Sequence, residues 1–223
     1  MKKVLIPALV LLNLATFAQT NTTETNTVGL ANSEKTLDLN ISLNTNSMKI
    51  DGENIDGNAI EASFGKEFIL SDTLVTKTSL NLGLNSLDKN IDGSKLDVNR
   101  MTETGLSQNL IYVTEINGTI VKPFLGAGVA IGQWNIEVKD QDEEILTAEL
   151  ETDYTKLSLN AGVEILLDSG IKGIVKVSQS KIKFDNTSDV SISGTEFNGT
   201  ASFDNELSDT NSTSISLGVG YQF

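Results

Sequence analysis

The chain contains no cysteine and no histidine. The first absence excludes a disulfide framework and a thiolate metal site. The second removes Ser-His-Asp and Cys-His catalysis and imidazole metal ligation together. Paired carboxylates remain available in principle, but no spacing singles out a pair, so the reading is of a protein that is not an enzyme. Aromatics make up only 5% of the residues, with a single Trp. Beyond the first twenty residues there is no apolar run of the ~18–20 residues that a membrane-spanning helix needs. Basic residues are also scarce. Sixteen Lys and Arg stand against thirty Asp and Glu, for a net charge of −14. That balance argues against nucleic acid and against docking onto an anionic lipid surface.

What is present begins with a targeting segment. Lys2 and Lys3 precede an apolar run from Val4 to Leu14, broken by Pro7 and Asn13, and then Thr16-Phe17-Ala18. A positive start, a short apolar stretch and small residues at the cleavage positions read as a secretory signal peptide over 1–18. No Cys follows it, which excludes a lipoprotein. Without the two signal lysines the net charge becomes −16. Residues 19–34 are rich in Thr and Asn without apolar periodicity and read as a flexible periplasmic lead-in.

From residue 35 the pattern has period two, which is the signature of strands with one apolar face. The last stretch is the clearest. Thr213, Ile215, Leu217, Val219, Tyr221 and Phe223 share one parity; Ser212, Ser214, Ser216, Gly218, Gly220 and Gln222 share the other. The same alternation recurs with Leu37, Leu39, Ile41 and Leu43 outward, then Ile60 to Leu70, Leu74 to Leu84, Val121 to Ile131, Leu157 to Leu167 and Ile171 to Val177. Lys66 interrupts the outward face of the second of these strands. A less regular strand over about 98–116 carries Leu106, Leu110, Tyr112 and Ile116 outward. That makes eight strands of about the ~9–11 residues that cross a bilayer when tilted. Three connections are tight, at 71–73, 117–118 and 168–170, and Asn117-Gly118 is a strong hairpin signal. The remaining four, over 49–57, 86–97, 140–153 and 185–209, read as longer loops. Long and short connections alternate, as in a barrel with short periplasmic turns and long extracellular loops. The fold class is therefore all-β: an eight-stranded antiparallel up-and-down transmembrane β-barrel over 35–223. A soluble β-sandwich shares the alternation; the signal peptide, the alternating connections and the aromatic terminus weigh against it.

The stretch Val121-Lys122-Pro123-Phe124-Leu125-Gly126-Ala127-Gly128-Val129-Ala130 and the ending Gly218-Val219-Gly220-Tyr221-Gln222-Phe223 resemble the small eight-stranded outer-membrane barrels of the outer membrane protein A/X and opacity-protein type. The resemblance covers roughly residues 35–223. It implies residence in the bacterial outer membrane, in contact with the lipid bilayer and lipopolysaccharide. It also makes Tyr221 and Phe223 the signal read by the barrel-assembly machinery. No peptidoglycan-binding domain follows Phe223, so wall anchoring of that kind is not implied. The aromatic girdles look thin, with Phe64, Phe68, Tyr112, Trp134, Tyr154, Tyr221 and Phe223 as candidates.

Inward parity assembles a set of charges: Asp38, Glu61, Glu67, Glu115 and Glu164 against Lys77, Lys122, Lys156, Lys172 and Lys176. An eight-stranded barrel has room inside only for side chains, and buried charges must pair. These ten are read as a salt-bridged plug, with a narrow ion path as the alternative. Inward glycines, among them Gly126, Gly162 and Gly220, make room for the long Lys and Glu side chains. The excess negative charge lies elsewhere. Residues 140–153 hold seven acidic residues and 185–209 hold six, with no basic residue in either. A solvated, self-repelling surface explains this; weak calcium or magnesium binding by Asp140, Asp142, Glu143 and Glu144 is the functional alternative. No other cofactor is implied, and no extracellular partner can be named. The function read from the chain is a non-catalytic outer-membrane anchor presenting acidic extracellular loops, or alternatively a narrow, cation-preferring porin-like channel.

Overall fold

The computed structural model describes residues 37–223 apart from 51, 52, 89, 92, 93, 97, 140–145, 168, 169, 195–197, 205, 206 and 208. The signal peptide and lead-in assigned to 1–34 lie outside the described residues. The strands in chain order are β1 (Leu37–Ile50), β2 (Glu53–Ser71), β3 (Leu74–Leu87), β4 (Asn90–Ile91), β5 (Ser94–Lys95), β6 (Val98–Tyr112), β7 (Thr114–Ile116), β8 (Thr119–Lys139), β9 (Leu146–Leu166), β10 (Ile171–Gly194), β11 (Asn198–Asp204) and β12 (Thr210–Gln222).

Eight of these close a ring. β1, β2, β3, β6, β8, β9, β10 and β12 pair antiparallel in that order, and β12 returns to pair with β1. The closing register runs from Asp38 opposite Gln222 to Lys49 opposite Asn211. The Phe223 amide also donates to the Leu37 carbonyl at 2.8 Å. Asn117 and Gly118 have φ of 52° and 80°, the two positive values that a tight hairpin turn needs to match the twist of its strands.

Closure gives each strand an inside and an outside. Leu43, Leu125, Leu159, Leu217 and Val219 are more exposed than 60%, and all sit on the parity that faces away from the barrel axis. The outward apolar stripes stop at Leu43, Ile60, Leu84, Ile131, Leu157, Val177 and Ile215, and the next outward residues include Thr45, Asn58, Ser86, Gln133, Thr155, Gln179 and Thr213. This is an apolar belt with a polar edge, interrupted by Lys66 on β2, Thr76 and Thr78 on β3, and Thr104 and Gln108 on β6.

The interior is layered. Near the short turns Val75, Ile111, Val113 and Phe124 are buried together, with Ile69 and Ile120 against them. At the other end Met48, Ile50, Ile55, Leu87, Met101, Trp134, Tyr154, Ile182 and Phe184 form a second apolar layer. Trp134 and Tyr154 flank Phe184 there, with ring centroids 5.4 and 6.2 Å away. These two aromatics therefore do not belong to an outer girdle. They stand on the inward parity, and the Trp134 Nε1–H donates to Asn99 Oδ1 at 2.7 Å.

The long connections hold more sheet than the loop reading allows. β1 and β2 run on as a hairpin through most of 49–57, and β4 pairs with β5 inside 86–97. β8, β9 and β10 continue well past the apolar belt, and β11 adds to β10. Much of 140–153 and 185–209 is thus a projecting four-stranded sheet. A register shift between Phe184 and Ser188 lies beyond the belt, where β10 runs on into this sheet. The outer face of this sheet is acidic, with Glu137 opposite Glu149 and Glu151 opposite Asp189. Its inner face carries Ile136, Leu150, Val190 and Ile192.

A lipid-covered wall has a measurable consequence. Leu217 is 63% exposed, so in water a polar replacement would matter little. In a bilayer, Leu217→Arg is expected to destabilise the barrel by roughly 2–4 kcal/mol, read from urea unfolding in lipid vesicles.

Candidate functional site, the charged lumen

The candidate site is the polar layer between the two apolar ones. Six of the eight ring strands supply its charges through the inward parity, which carries Asp38 on β1, Glu67 on β2, Lys77 on β3, Lys122 on β8, Glu164 on β9 and Lys172 on β10. All six are nearly fully buried. Lys172 donates to Asp38 Oδ2 at 2.9 Å and to Glu164 Oε2 at 3.0 Å. Lys77 lies 3.3 Å from Asp38 Oδ2 and also bonds Glu164 Oε1. The two lysines and two carboxylates thus make a closed square. Beside it, Lys122 donates to Glu67 at 3.0 Å and to Gln222 Oε1 at 3.1 Å, while Gln222 Nε2 donates back to Glu67 at 3.0 Å. Asn40 Nδ2 donates to Asp38 Oδ1 at 2.8 Å and to Ser63 at 3.0 Å.

Two further pairs sit toward the long-strand end. Lys176 reaches Glu61 at 2.8 Å, and Lys156 reaches both oxygens of Glu103 at 2.9 Å. These are less buried than the square. Of the ten residues that parity assigned to the lumen, nine meet there. Glu115 does not. The strand breaks after Tyr112, and Glu115 stands exposed on β7 beside the Asn117-Gly118 turn. Glu103 takes the corresponding place as Lys156's partner. The signal for Glu103 was its odd parity, opposite to that of Leu106 and Leu110; outward Thr102, Thr104 and Gln108 blur it. Gln222, which bridges Lys122 and Glu67, was visible as an inward residue but not as part of the network.

Five carboxylates oppose five ammonium groups, so the lumen is neutral without any added ion. Oxygens of Asp38, Glu67 and Glu164 lie within 4.8 Å of one another, a spacing that would suit a metal. Lys77, Lys122 and Lys172 already bond these same carboxylates, so the square is satisfied by its own cations. Glycine supplies the space. A Cβ at position 83 would stand 2.6 Å from Glu103 Cγ, and one at position 220 would stand 2.9 Å from Lys172 Cε. Above the square lies a polar cavity of about 110 Å³, with Asn40, Asn44, Asn109 and Ser216 among its lining. The buried Asn40, Asn44 and Asn109 Oδ1 atoms and Ser216 Oγ find no protein partner, which suits them to ordered water.

Asp140, Asp142, Glu143 and Glu144 lie outside the described residues. Tyr221 and Phe223 point outward at the closing strand, in edge-to-face contact at 5.1 Å.

Comparison with known proteins agrees with this architecture. The family described as outer membrane protein beta-barrel domain matches residues 5–223. Neisserial surface protein A is similar in structure at a TM-score of 0.56 and 12% identity, covering 84% of this chain and 97% of that one. A major outer membrane protein from Thermus thermophilus is similar at 0.50 and 14%, covering 83% and 99%. At these identities the likeness is one of fold. No curated protein matches the chain.

Breaking a buried pair leaves an uncompensated charge, at a cost of about 3–5 kcal/mol. Lys77→Met and Glu164→Gln are each expected to destabilise on that scale in chemical unfolding. The double variant is expected to lose less than the sum, because Asp38 and Lys172 can then pair alone. Glu103→Gln is expected to cost less, since its pair with Lys156 is partly solvated.

Proposed function

The chain belongs to the outer membrane protein beta-barrel domain family and resides in the bacterial outer membrane; from that premise we propose that it is a non-catalytic surface anchor. In this reading the barrel holds the protein in the membrane, and the projecting acidic sheet with its loops meets the surroundings. The observation that carries it is the neutral ion-paired lumen enclosed between two apolar layers. Such an interior favours stability over passage. Family barrels carry short turns on the periplasmic side, so the projecting sheet faces outward from the cell. Tyr221 and Phe223, on the closing strand, would be what the assembly machinery reads.

The polar cavity favours a second reading, a narrow channel running along the lumen. Planar-bilayer recording of the refolded chain separates the two. Stable insertion without reproducible openings is the expected result. Discrete cation-selective steps would transfer the function to the channel reading.

The acidic outer face bears on partners. Glu151 opposite Asp189 sets like charges across neighbouring strands, an arrangement that costs stability. Divalent cations at this face and at Asp140, Asp142, Glu143 and Glu144 would relieve that repulsion and bridge to anionic lipopolysaccharide. Millimolar calcium or magnesium is therefore expected to raise the melting temperature; an unchanged melting temperature would count against cation binding.

A further inference from the structure

Among the described residues, the outward wall holds one charge within its apolar belt. Lys66 on β2 lies in register between Leu37 on β1 and Thr78 on β3, and its side chain is exposed. Above it on the same face stand Phe64, Ala62 and Ile60; below it stand Phe68 and Leu70, then the 71–73 turn. An ammonium group in this setting is costly unless it reaches a polar surface, and a long lysine stem allows it to do so.

Three features show where it goes. First, Lys66 Nζ sits 5.3 Å from the centre of the Phe68 ring. Phe68 is two residues nearer the short turns, so the side chain runs toward that end of the barrel. Second, no carboxylate among the described residues lies within ion-pair distance of it. Third, its polar neighbours are already occupied with each other. Gln108 accepts from Thr78 Oγ1 at 2.5 Å and also bonds Thr76, whose hydroxyl donates to the Asn109 carbonyl at 3.2 Å. In hydrocarbon, polar groups satisfy one another in this way. None of the described residues offers Lys66 a negative charge, which leaves its ammonium open to an anion from the surrounding membrane.

We propose that Lys66, laid over Phe68 on the lipid-facing wall, binds the phosphate of an anionic phospholipid in the periplasmic leaflet. The charge is complementary, and the short-turn end is the side on which that leaflet's headgroups lie. Leu37, Phe64 and Leu80 flank the site with apolar surface for the acyl chains, while Phe68 holds the ammonium by a cation–π contact. A negatively charged segment of a neighbouring membrane protein is the competing occupant.

The full-length refolded chain tests this by native mass spectrometry after exposure to an equimolar mixture of phosphatidylglycerol and phosphatidylcholine. The wild type is expected to retain phosphatidylglycerol preferentially. Lys66→Leu is expected to lower that preference about fivefold, the contribution of one lysine near an anionic surface, and Lys66→Arg to keep it. Lys181→Leu, at the other edge of the belt, serves as a control and is expected to leave the preference unchanged. Urea unfolding in phosphatidylcholine vesicles shows that the variant folds: Lys66→Leu is expected to unfold at no lower urea concentration than the wild type. Equal phosphatidylglycerol retention by wild type and Lys66→Leu would overturn the proposal. So would cross-linked oligomers in the wild type that Lys66→Leu abolishes, which would assign the residue to a protein contact.

Discussion

The pairing of β1 with β12 is the constraint on which the rest depends. In hydrocarbon an unpaired backbone amide or carbonyl costs several kcal/mol, and an eight-stranded sheet left open would expose two rows of them. Joining Asp38–Lys49 to Asn211–Gln222 removes both rows at once. It also explains why the last strand has the cleanest alternation in the chain. A slip of one residue there would turn Ile215, Leu217 and Val219 into the lumen and set Ser214, Ser216 and Gly218 against lipid.

Once the ring closes, eight strands leave an interior filled by side chains. Ionised groups in such a space must meet opposite charges, and here each does. The square takes Asp38 from β1, Lys77 from β3, Glu164 from β9 and Lys172 from β10; only β9 and β10 are neighbours in the ring, so its other three contacts reach across the lumen and tie separate walls of the barrel together. Its members are almost fully buried, which strengthens their attraction and raises the cost of breaking it. The same division leaves the outer wall nearly free of charge, which is why Lys66 stands out there. The acidic excess is displaced to the projecting sheet, beyond the apolar belt.

Much of the barrel is legible in the primary structure because a strand between lipid and lumen alternates with a period of two. Leu157 to Leu167 and Ile215 to Phe223 show it at a glance, and Asn117-Gly118 fixes a turn by its backbone chemistry. Legibility fails where outward residues are polar. On β6, Thr102, Thr104 and Gln108 face out, which hides the inward place of Glu103 and lets the parity run on to Glu115, beyond the end of the strand. The projecting strands read as loops for a related reason. Glu149 and Glu151 alternate with Ala148, Leu150 and Thr152, but density of charge hides the alternation. Residue type alone places Trp134 and Tyr154 in a girdle, although their parity with Lys156 and Gly132 points inward. Which carboxylate meets which lysine depends on side-chain reach across the lumen, and strand patterns alone do not carry that.

The most direct test of closure is amide hydrogen exchange, followed by NMR on the folded protein in lipid micelles. In a closed ring the amides of Ile41, Leu43, Leu217 and Val219 exchange as slowly as those of Leu159 and Val177 on the interior pair β9 and β10. Rapid exchange at alternate residues along β1 and β12, with β9 and β10 still protected, would mean that these two strands are free edges, and the account of the lumen built on their pairing would fail.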